Sequence, residues 1–514
     1  MAVKTFAAID IGSYELSMKI FEISKAKGMK EVDHIRYSID MGTETYTTGK
    51  LSYQRVEELC RILRAFSDVM KTYQVSDYVA YGTSAIRETE NTGILLDQIR
   101  QRTGIKIDVL SNSEQRFLDY KSIASQGEEF RKVLERPTAI LDIGGGSIQV
   151  SLFENDTLVS TQNINMGVLR LRESLTHLDA SVRQYETLLG ELLDSRLEVY
   201  KKLYLKDRTI ENIIVMDDYI SPLLLKEETG YPRKGYGDKA RIDAYLAAFR
   251  SQSISGLARQ WDMPEENMLL IYITLIMTGR IMDVMGARQI WAPGVTLSDG
   301  IAYEYAEKNK MIASVHDFEK DIIACAYNIS KRYRGSRKRS ETLEQIALTI
   351  FDSMKKIHGL GKRERMLLSL STILHDCGKY ISMSNLGECS YNIIMSTEMI
   401  GLSHTEREIV ANVVKYNHLE FQYYEEMSRY SRMDRETYLT IAKLTAILKV
   451  ANGLDRSHKQ KFKNVKASLK EDELIITVDT NEDITLERGL FGKRAEFFGE
   501  VYSVRPVIRQ KRTI

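Results

Sequence analysis

The first apolar run, Thr5-Phe-Ala-Ala-Ile-Asp10, breaks at Ile11-Gly12-Ser13, and a weak alternation at Leu16, Met18 and Ile20 follows it. A period near two on either side of a glycine reads as strand, turn, strand. Val56–Val69 carries apolar residues at helical spacing, while Asp77–Tyr81 and Ile105–Leu110 are short strand candidates. Thr138–Asp142 then opens a second strand–glycine turn–strand unit, with Ile148–Phe153 as its return strand. A helical stretch over Tyr185–Tyr204 precedes a further strand candidate, Asn212–Met216. A helix-rich run, Asn267–Met285, leads into Ile290–Ala292 and the turn Pro293-Gly294.

Beyond about residue 306 the strand signal disappears. Residues 310–460 show long amphipathic patterns, as an all-helical domain would, and no proline lies between Gly294 and Arg505. Strand character returns at Asn464–Leu469 and Glu473–Asp479. The strand–Asp–glycine–strand unit occurs twice, so the pattern predicts two related α/β halves facing each other across a cleft. The expected boundaries are 1–125 and 126–306 for the halves, 307–460 for the helical domain, and 461–514 for a small C-terminal α/β appendage.

Composition narrows the function classes. With 514 residues, 43% hydrophobic and 28% charged, the chain reads as a globular protein of several domains. Its net charge of +1 provides no global field toward nucleic acid or membrane, so any anion site must be local. The cysteines at 60, 325, 377 and 389 form no CxxC clip, which suits reduced thiols in the cytoplasm. The N-terminus MAVKTFAAIDIG lacks the layout of a signal peptide, and the strongly apolar stretch Met268–Met277 is shorter than a membrane span of ~20 residues. A soluble cytoplasmic protein with no membrane and no specific nucleic-acid partner is therefore expected.

The candidate chemistry sits in the two turns, Asp10-Ile-Gly-Ser13 and Asp142-Ile-Gly-Gly-Gly-Ser147. Gly12, Gly144, Gly145 and Gly146 would let backbone N–H groups approach phosphate oxygens, forming a concave array of donors. Asp10 and Asp142 would offer hard oxygen ligands to Mg²⁺ or another divalent cation, usually through water. Ser13 and Ser147 are candidate hydroxyl donors to phosphate, or caps of the following turns. The first loop alone reads equally well as a tight hairpin; its repetition favours binding.

Further segments carry a resemblance. Asp10-Ile-Gly-Ser13, Tyr81-Gly-Thr-Ser-Ala-Ile-Arg87, Asp142-Ile-Gly-Gly-Gly-Ser147, Asn165-Met-Gly-Val-Leu-Arg-Leu171 and Pro293-Gly-Val-Thr-Leu-Ser-Asp-Gly300 follow one another along the chain. Together they resemble the exopolyphosphatase/guanosine pentaphosphate phosphohydrolase (Ppx/GppA) family of the actin-like superfamily. The resemblance implies two actin-like (ribonuclease H-like) halves, an all-helical HD-like domain and the small appendage. It also implies hydrolysis of a phosphoanhydride, releasing orthophosphate from polyphosphate ends or from guanosine pentaphosphate, by a homodimer. Arg87 would pair with phosphate oxygens, or form a loop ion pair with Glu88 or Glu90. Ser84 would add a hydroxyl. Ser111-Asn-Ser-Glu114 is similar to the segment whose Glu activates water, so Glu114 is the expected general base. It is equally a capping box for the helix that follows.

Several positions depart from the family pattern. Gln149 stands where a carboxylate is usual, and Gln115 replaces a second Glu. Tyr14-Glu15 puts bulk and negative charge beside the first loop, and Asp217-Asp218-Tyr219 stands where a third glycine-rich loop is expected. Leu374-His-Asp-Cys-Gly-Lys379 resembles an HD metal motif, but no His lies between His316 and His358 and Asn452 takes the distal acidic position. His375–Asp376 therefore reads as a structural remnant, since two ligands do not fix a metal. The basic run Lys331–Arg339 would track a polyanion or form a solvated loop. These departures leave an alternative: a catalytically weak or inactive polyphosphate- or nucleotide-binding regulatory protein of the same fold.

Overall fold

A computed structural model of the chain describes residues 3–176, 182–226, 234–428, 433–462 and 464–511. It divides into two compact units, Met1–Phe318 and Glu319–Ile514.

The first unit holds the repeated fold. Its leading sheet comprises β1 (Lys4–Ile11), β2 (Glu15–Ser24), β3 (Gly28–Ser38), β4 (Asp77–Gly82) and β5 (Asp108–Val109), ordered β3-β2-β1-β4-β5. β1 to β3 form an antiparallel meander, and β4 and β5 add parallel to β1. The second sheet contains β6 (Thr138–Ile143), β7 (Ile148–Glu154), β8 (Thr157–Ile164), β9 (Asn212–Met216), β10 (Tyr236–Asp238) and β11 (Gln289–Trp291), ordered β10-β11-β9-β6-β7-β8. Apart from the antiparallel edge strand β10, this order repeats the first sheet strand for strand.

Central strands buried on both faces explain the near-continuous apolar runs. Ala7, Ile9 and Ile11 face Leu59, Leu63 and Phe66 of the Tyr53–Thr72 helix, whereas Phe6 and Ala8 join a core with Leu297, Ile301 and Ala302 of the Leu297–Lys308 helix. Each large apolar side chain so buried contributes about 1.5–3 kcal/mol. The meander strands β3 and β8 escaped the hydrophobic pattern because they are sheet edges; β3 is largely exposed and carries charge at Lys30, Glu31, Asp33 and Arg36. Of Ile105–Leu110 only Asp108–Val109 pairs as a strand.

The Met268–Met285 helix lies in the core of the second half. With its leading turn, Glu265–Met285, it is long and apolar enough to cross a membrane by length and composition, yet 78% of its apolar window is buried inside the protein.

Between Glu319 and Leu454 the described residues of the second unit are mostly helical, and the unit ends in a small sheet, β12 (Asn464–Lys470), β13 (Glu473–Asp479) and β14 (Arg505–Lys511). The Thr485–Tyr502 helix links the parallel pair β13 and β14 and packs on the Arg435–Leu454 helix, so the small sheet and the helices share one compact unit.

Candidate functional site

The two Asp–glycine loops occupy equivalent corners of the repeated fold, between β1 and β2 and between β6 and β7. In each, the first glycine donates its N–H to the carbonyl three residues on: Gly12 to Glu15 and Gly144 to Ser147, both at 3.0 Å. Ser13 thereby matches Gly145, and Glu15 matches Ser147. Across the hairpins, Asp10 pairs with Ser17 and Asp142 with Gln149. A helix start secures each loop. The Ser13 carbonyl accepts from the N–H groups of Met41 (2.9 Å) and Gly42 (2.8 Å), and the Gly145 carbonyl from those of Leu169 (3.0 Å) and Arg170 (3.1 Å).

The loops meet. A Cβ on Gly145 would lie 2.8 Å from Leu169 Cδ1 and 3.2 Å from Ser13 Cβ; one on Gly146 would lie 2.6 Å from the Tyr46 hydroxyl. Close approach is thus what these positions require, since none of the three glycines has a positive φ. Ser13 Oγ, Tyr46 Oη and Ser84 Oγ form a closed ring of hydroxyls, each pair 2.8 Å apart. Arg170 spans the junction: its Nε donates to the Gly146 carbonyl (3.0 Å), its Nη2 pairs with Glu88 (2.7 Å), and its guanidinium lies 4.7 Å from the Tyr46 ring centre.

Beside this junction is a cleft of about 120 Å³. Asp10, Gly12, Ser13, Ser84, Asp142, Gly144 and Gly145 line it, so most of the expected phosphate and metal residues come together. Gly146 packs against Tyr46, and Ser147 closes the second turn. Arg87 and Glu114 are not among the lining residues. Arg87 Nη1 donates to the Leu110 carbonyl (2.7 Å). Glu114 closes the capping box, its Oε2 accepting from the Ser111 N–H (3.0 Å) and its own N–H donating to Ser111 Oγ (3.2 Å). The same helix, Asn112–Ala124, instead turns Gln115 and Asp119 into the cleft, one turn apart. Where a third glycine loop was expected, Asp217 caps the next turn, accepting from the N–H of Tyr219 (2.6 Å) and the hydroxyl of Ser221 (2.8 Å).

Six carboxyl groups converge here: Asp10, Glu15, Asp119, Asp142, Asp217 and Asp218. Burial raises all of them, and repulsion from neighbouring carboxylates adds to it at every one but Asp218. Glu15 is pushed to about 7 by burial and Asp218, and Asp142 to about 6 by burial against the pull of Asp119 and Arg116. Asp217 reaches about 6 despite its hydrogen bonds. Asp10 rises through burial and then Asp218, and Asp119 through burial and then Asp142. Arg36 draws Asp218 and Glu15 downward.

Such a cluster asks for a cation. Asp10 Oδ1 and Asp119 Oδ2 are buried and accept no hydrogen bond, which is costly for a carboxylate unless a positive charge faces it. Hard oxygen donors suit Mg²⁺. Among the described residues, no three His, Cys, Asp or Glu groups converge tightly enough to chelate an ion unaided. An ion held here would keep several waters and take one or two carboxylates directly, as Mg²⁺ does.

The His375–Asp376 pair of the second unit is built differently. Arg339, buried at the start of the Arg337–Ser353 helix, sends Nη2 to Asn452 Oδ1 (2.9 Å) and Nε to Asp455 Oδ2 (3.3 Å), and its Nη1 lies 3.9 Å from Asp376 Oδ2. A guanidinium therefore supplies the positive charge beside Asp376 and Asp455, which disfavours a divalent ion there, while His375 Nε2 and Asp376 Oδ1 are buried without a hydrogen-bond partner. His375 Nδ1 donates to the Thr372 carbonyl (2.8 Å) and His418 Nε2 to the His375 carbonyl (2.7 Å), so both rings sit neutral. Burial pushes His375 down to about 3 and His418 to about 4. Their contribution to stability is complete above the unfolded value of about 6.5 and is lost as pH falls toward 4. His418 alone is expected to remove about 2 kcal/mol from this unit at pH 5. Urea midpoints of the second unit at pH 7.5 and 5 check this; equal midpoints would contradict it.

Comparison with known proteins matches residues 20–307 to the Ppx/GppA phosphatase family and residues 323–493 to domain III of Ppx/GppA phosphatases. A guanosine-5'-triphosphate,3'-diphosphate pyrophosphatase of Photobacterium profundum is 19% identical over 490 residues, covering 92% of this chain and 91% of that protein. Exopolyphosphatase 1 of Mycobacterium tuberculosis is 22% identical over 190 residues, 37% of this chain and 54% of its own. Among solved structures, an exopolyphosphatase from Cytophaga hutchinsonii superposes with a TM-score of 0.52 at 16% identity, covering 61% of this chain and all of that one. An Aquifex aeolicus Ppx/GppA protein gives 0.50 at 18% identity, covering 60% and 99%.

Proposed function

Because the chain belongs to the Ppx/GppA phosphatase family, we propose that its cleft hydrolyses a terminal phosphoanhydride, releasing orthophosphate from polyphosphate ends or from guanosine pentaphosphate. The observation that carries this reading is the meeting of two Asp–glycine loops over a nest of buried carboxylates with unpartnered oxygens. Carboxylates alone repel a polyanion, so Asp10 and Asp142 would hold Mg²⁺ or another divalent cation. When bound, that ion neutralises phosphoryl charge and supplies a Lewis acid. The chain's own part is positional. The loops present the glycine backbone, Ser13 and Ser84 line the cleft with their hydroxyls bonded to each other and to Tyr46, and the narrow cleft excludes bulk water. Its volume of about 120 Å³ is far below the ~300 Å³ or more of pockets that enclose drug-sized ligands. It suits one phosphoryl group and a hydrated ion, leaving the rest of the substrate outside.

A second reading has specific support. Glu114 is committed to its cap, and the residue opposite Asp142 is the neutral Gln149. A protein so arranged would bind polyphosphate or a nucleotide without turnover, as a regulator. Phosphate release from long-chain polyphosphate with Mg²⁺ separates the two. Hydrolysis predicts release that EDTA abolishes and that Asp142→Asn lowers by about 100-fold or more. Mg²⁺-dependent polyphosphate binding with no release would establish the regulatory reading.

A further inference from the structure

The cleft contains a carboxylate that no motif announces. Asp119 lies mid-helix, one turn beyond Gln115, is 3% exposed, and keeps Oδ2 buried without a hydrogen-bond partner. Its neighbours explain what it does. Asp142 lies on β6, and its cross-strand partner on β7 is Gln149. Directly opposed side chains on one sheet face stand about 4.5–5.5 Å apart at Cβ, so position 149 is where a second strand-borne ligand would stand. Gln149 does not fill that role: it is a neutral amide whose Oε1 accepts from Arg116 Nε at 2.9 Å. Arg116 belongs to the helix that also carries Asp119, and one turn on the helix returns a carboxylate to Asp142.

We propose that Asp119 is a cation-holding carboxylate of this cleft, acting beside Asp142 and, through the ion's waters, with Asp10 in the place that Gln149 leaves short on the strand side. The inference rests on reading the cleft as a cation site, and it adds a residue and a source: the helix, in place of the hairpin. Asp119 and Asp142 lie within hydrogen-bond reach, so a shared proton or an ion holds the pair together, but a proton between them leaves Asp119 Oδ2 and Asp10 Oδ1 without a partner. The orphaned oxygens of Asp10 and Asp119 both belong to groups lining the same small space, which favours the ion. Asp119→Asn keeps the shape and removes a buried charge, so the fold is retained.

The test uses the full-length chain and Mn²⁺ as a spectroscopic probe, with binding followed by electron paramagnetic resonance. Asp119→Asn is expected to weaken Mn²⁺ binding by about 10–100-fold. Adding Gln149→Glu to that variant is expected to restore most of the loss, because the register places the new carboxylate beside Asp142. Wild-type affinity in Asp119→Asn would overturn the proposal, and so would a double variant no better than the single one. A pair that only shares a proton gives the first of these results. Phosphate release on the same samples keeps the two readings apart. Mn²⁺ binding that needs Asp119 but accompanies no release leaves this inference standing and removes hydrolysis. A wild-type protein that binds no Mn²⁺ removes the ion site altogether.

Discussion

Replacing Arg339 with methionine is expected to destabilise the second unit by about 3–5 kcal/mol. The guanidinium is buried, bonds Asn452 at 2.9 Å and Asp455 at 3.3 Å, and stands 3.9 Å from Asp376. Removing it leaves two buried carboxylates with Lys379 Nζ, 3.6 Å from Asp376, and the Gln460 N–H, which donates to Asp455, beside them, and the loss comes mainly from these carboxylates. Methionine fills a similar volume, which separates charge from packing. The pair Arg339→Met with Asp455→Asn should therefore lose much less than Arg339→Met alone, and the coupling between the two measures the ionic share. Arg339→Lys should recover only part, because a single ammonium does not reach Asn452 and Asp455 with the same fork. Urea unfolding of the wild-type chain, these three variants and Asp455→Asn alone, monitored on the transition of the second unit, gives the losses and the coupling. A loss below 1 kcal/mol for Arg339→Met would mean that the carboxylates are already satisfied without it.

The second large effect is expected at Gly300. A Cβ there would lie 2.0 Å from the carbonyl oxygen of Leu118 and 2.7 Å from its carbonyl carbon. The obstacle is backbone, so no rotamer change relieves it. Gly300→Ala must push the Leu297–Lys308 helix off the Asn112–Ala124 helix, at a cost of about 3 kcal/mol. The displacement has a functional side. Leu118 sits beside Asp119 and a turn from Gln115, both of which face the cleft. Gly300→Ala is therefore expected to weaken divalent-ion binding as well as stability, although residue 300 does not line the cleft. Chemical denaturation and a Mn²⁺ titration on the same variant check both halves. Unchanged stability would show that the helices part freely.

The loops at Asp10 and Asp142 were legible in the chain because local chemistry announces them: a strand, an acid, then glycine where a side chain would collide. The repeat of the fold was legible for the same reason. What lay hidden depended on distance in the sequence. Asp119 sits among Phe117, Leu118 and Tyr120, inside a helix, and becomes a candidate ligand only when that helix is laid against β6 and β7. Its one sequence signal is an unpaired acid on a largely buried helix face. Arg339 was obscured by its company. In the run Lys331–Arg339 it looks like one more solvated cation, yet the chain turns into a helix at Arg337 and takes Arg339 inside. Glu114 shows the converse. Ser111 and Glu114 together spell a cap, and in the structure the cap is made. The edge strands β3 and β8 left little trace because solvent, rather than a core, sets their composition.

The ring formed by Ser13, Tyr46 and Ser84 determines the heat of any binding event at the junction of the loops. In a three-membered ring each hydroxyl donates once and accepts once, and the three contacts of 2.8 Å leave no donor waiting. An arriving phosphoryl oxygen must exchange bonds with the ring. Exchange of like for like releases little net enthalpy, so calorimetry should find binding there driven by counter-ion and water release, with heat contributed chiefly by the metal. The ring then acts as a latch within the first half: it ties the first glycine loop to the Met41–Thr48 and Ser84–Glu88 helices and yields only to a ligand that arrives with its own positive charge.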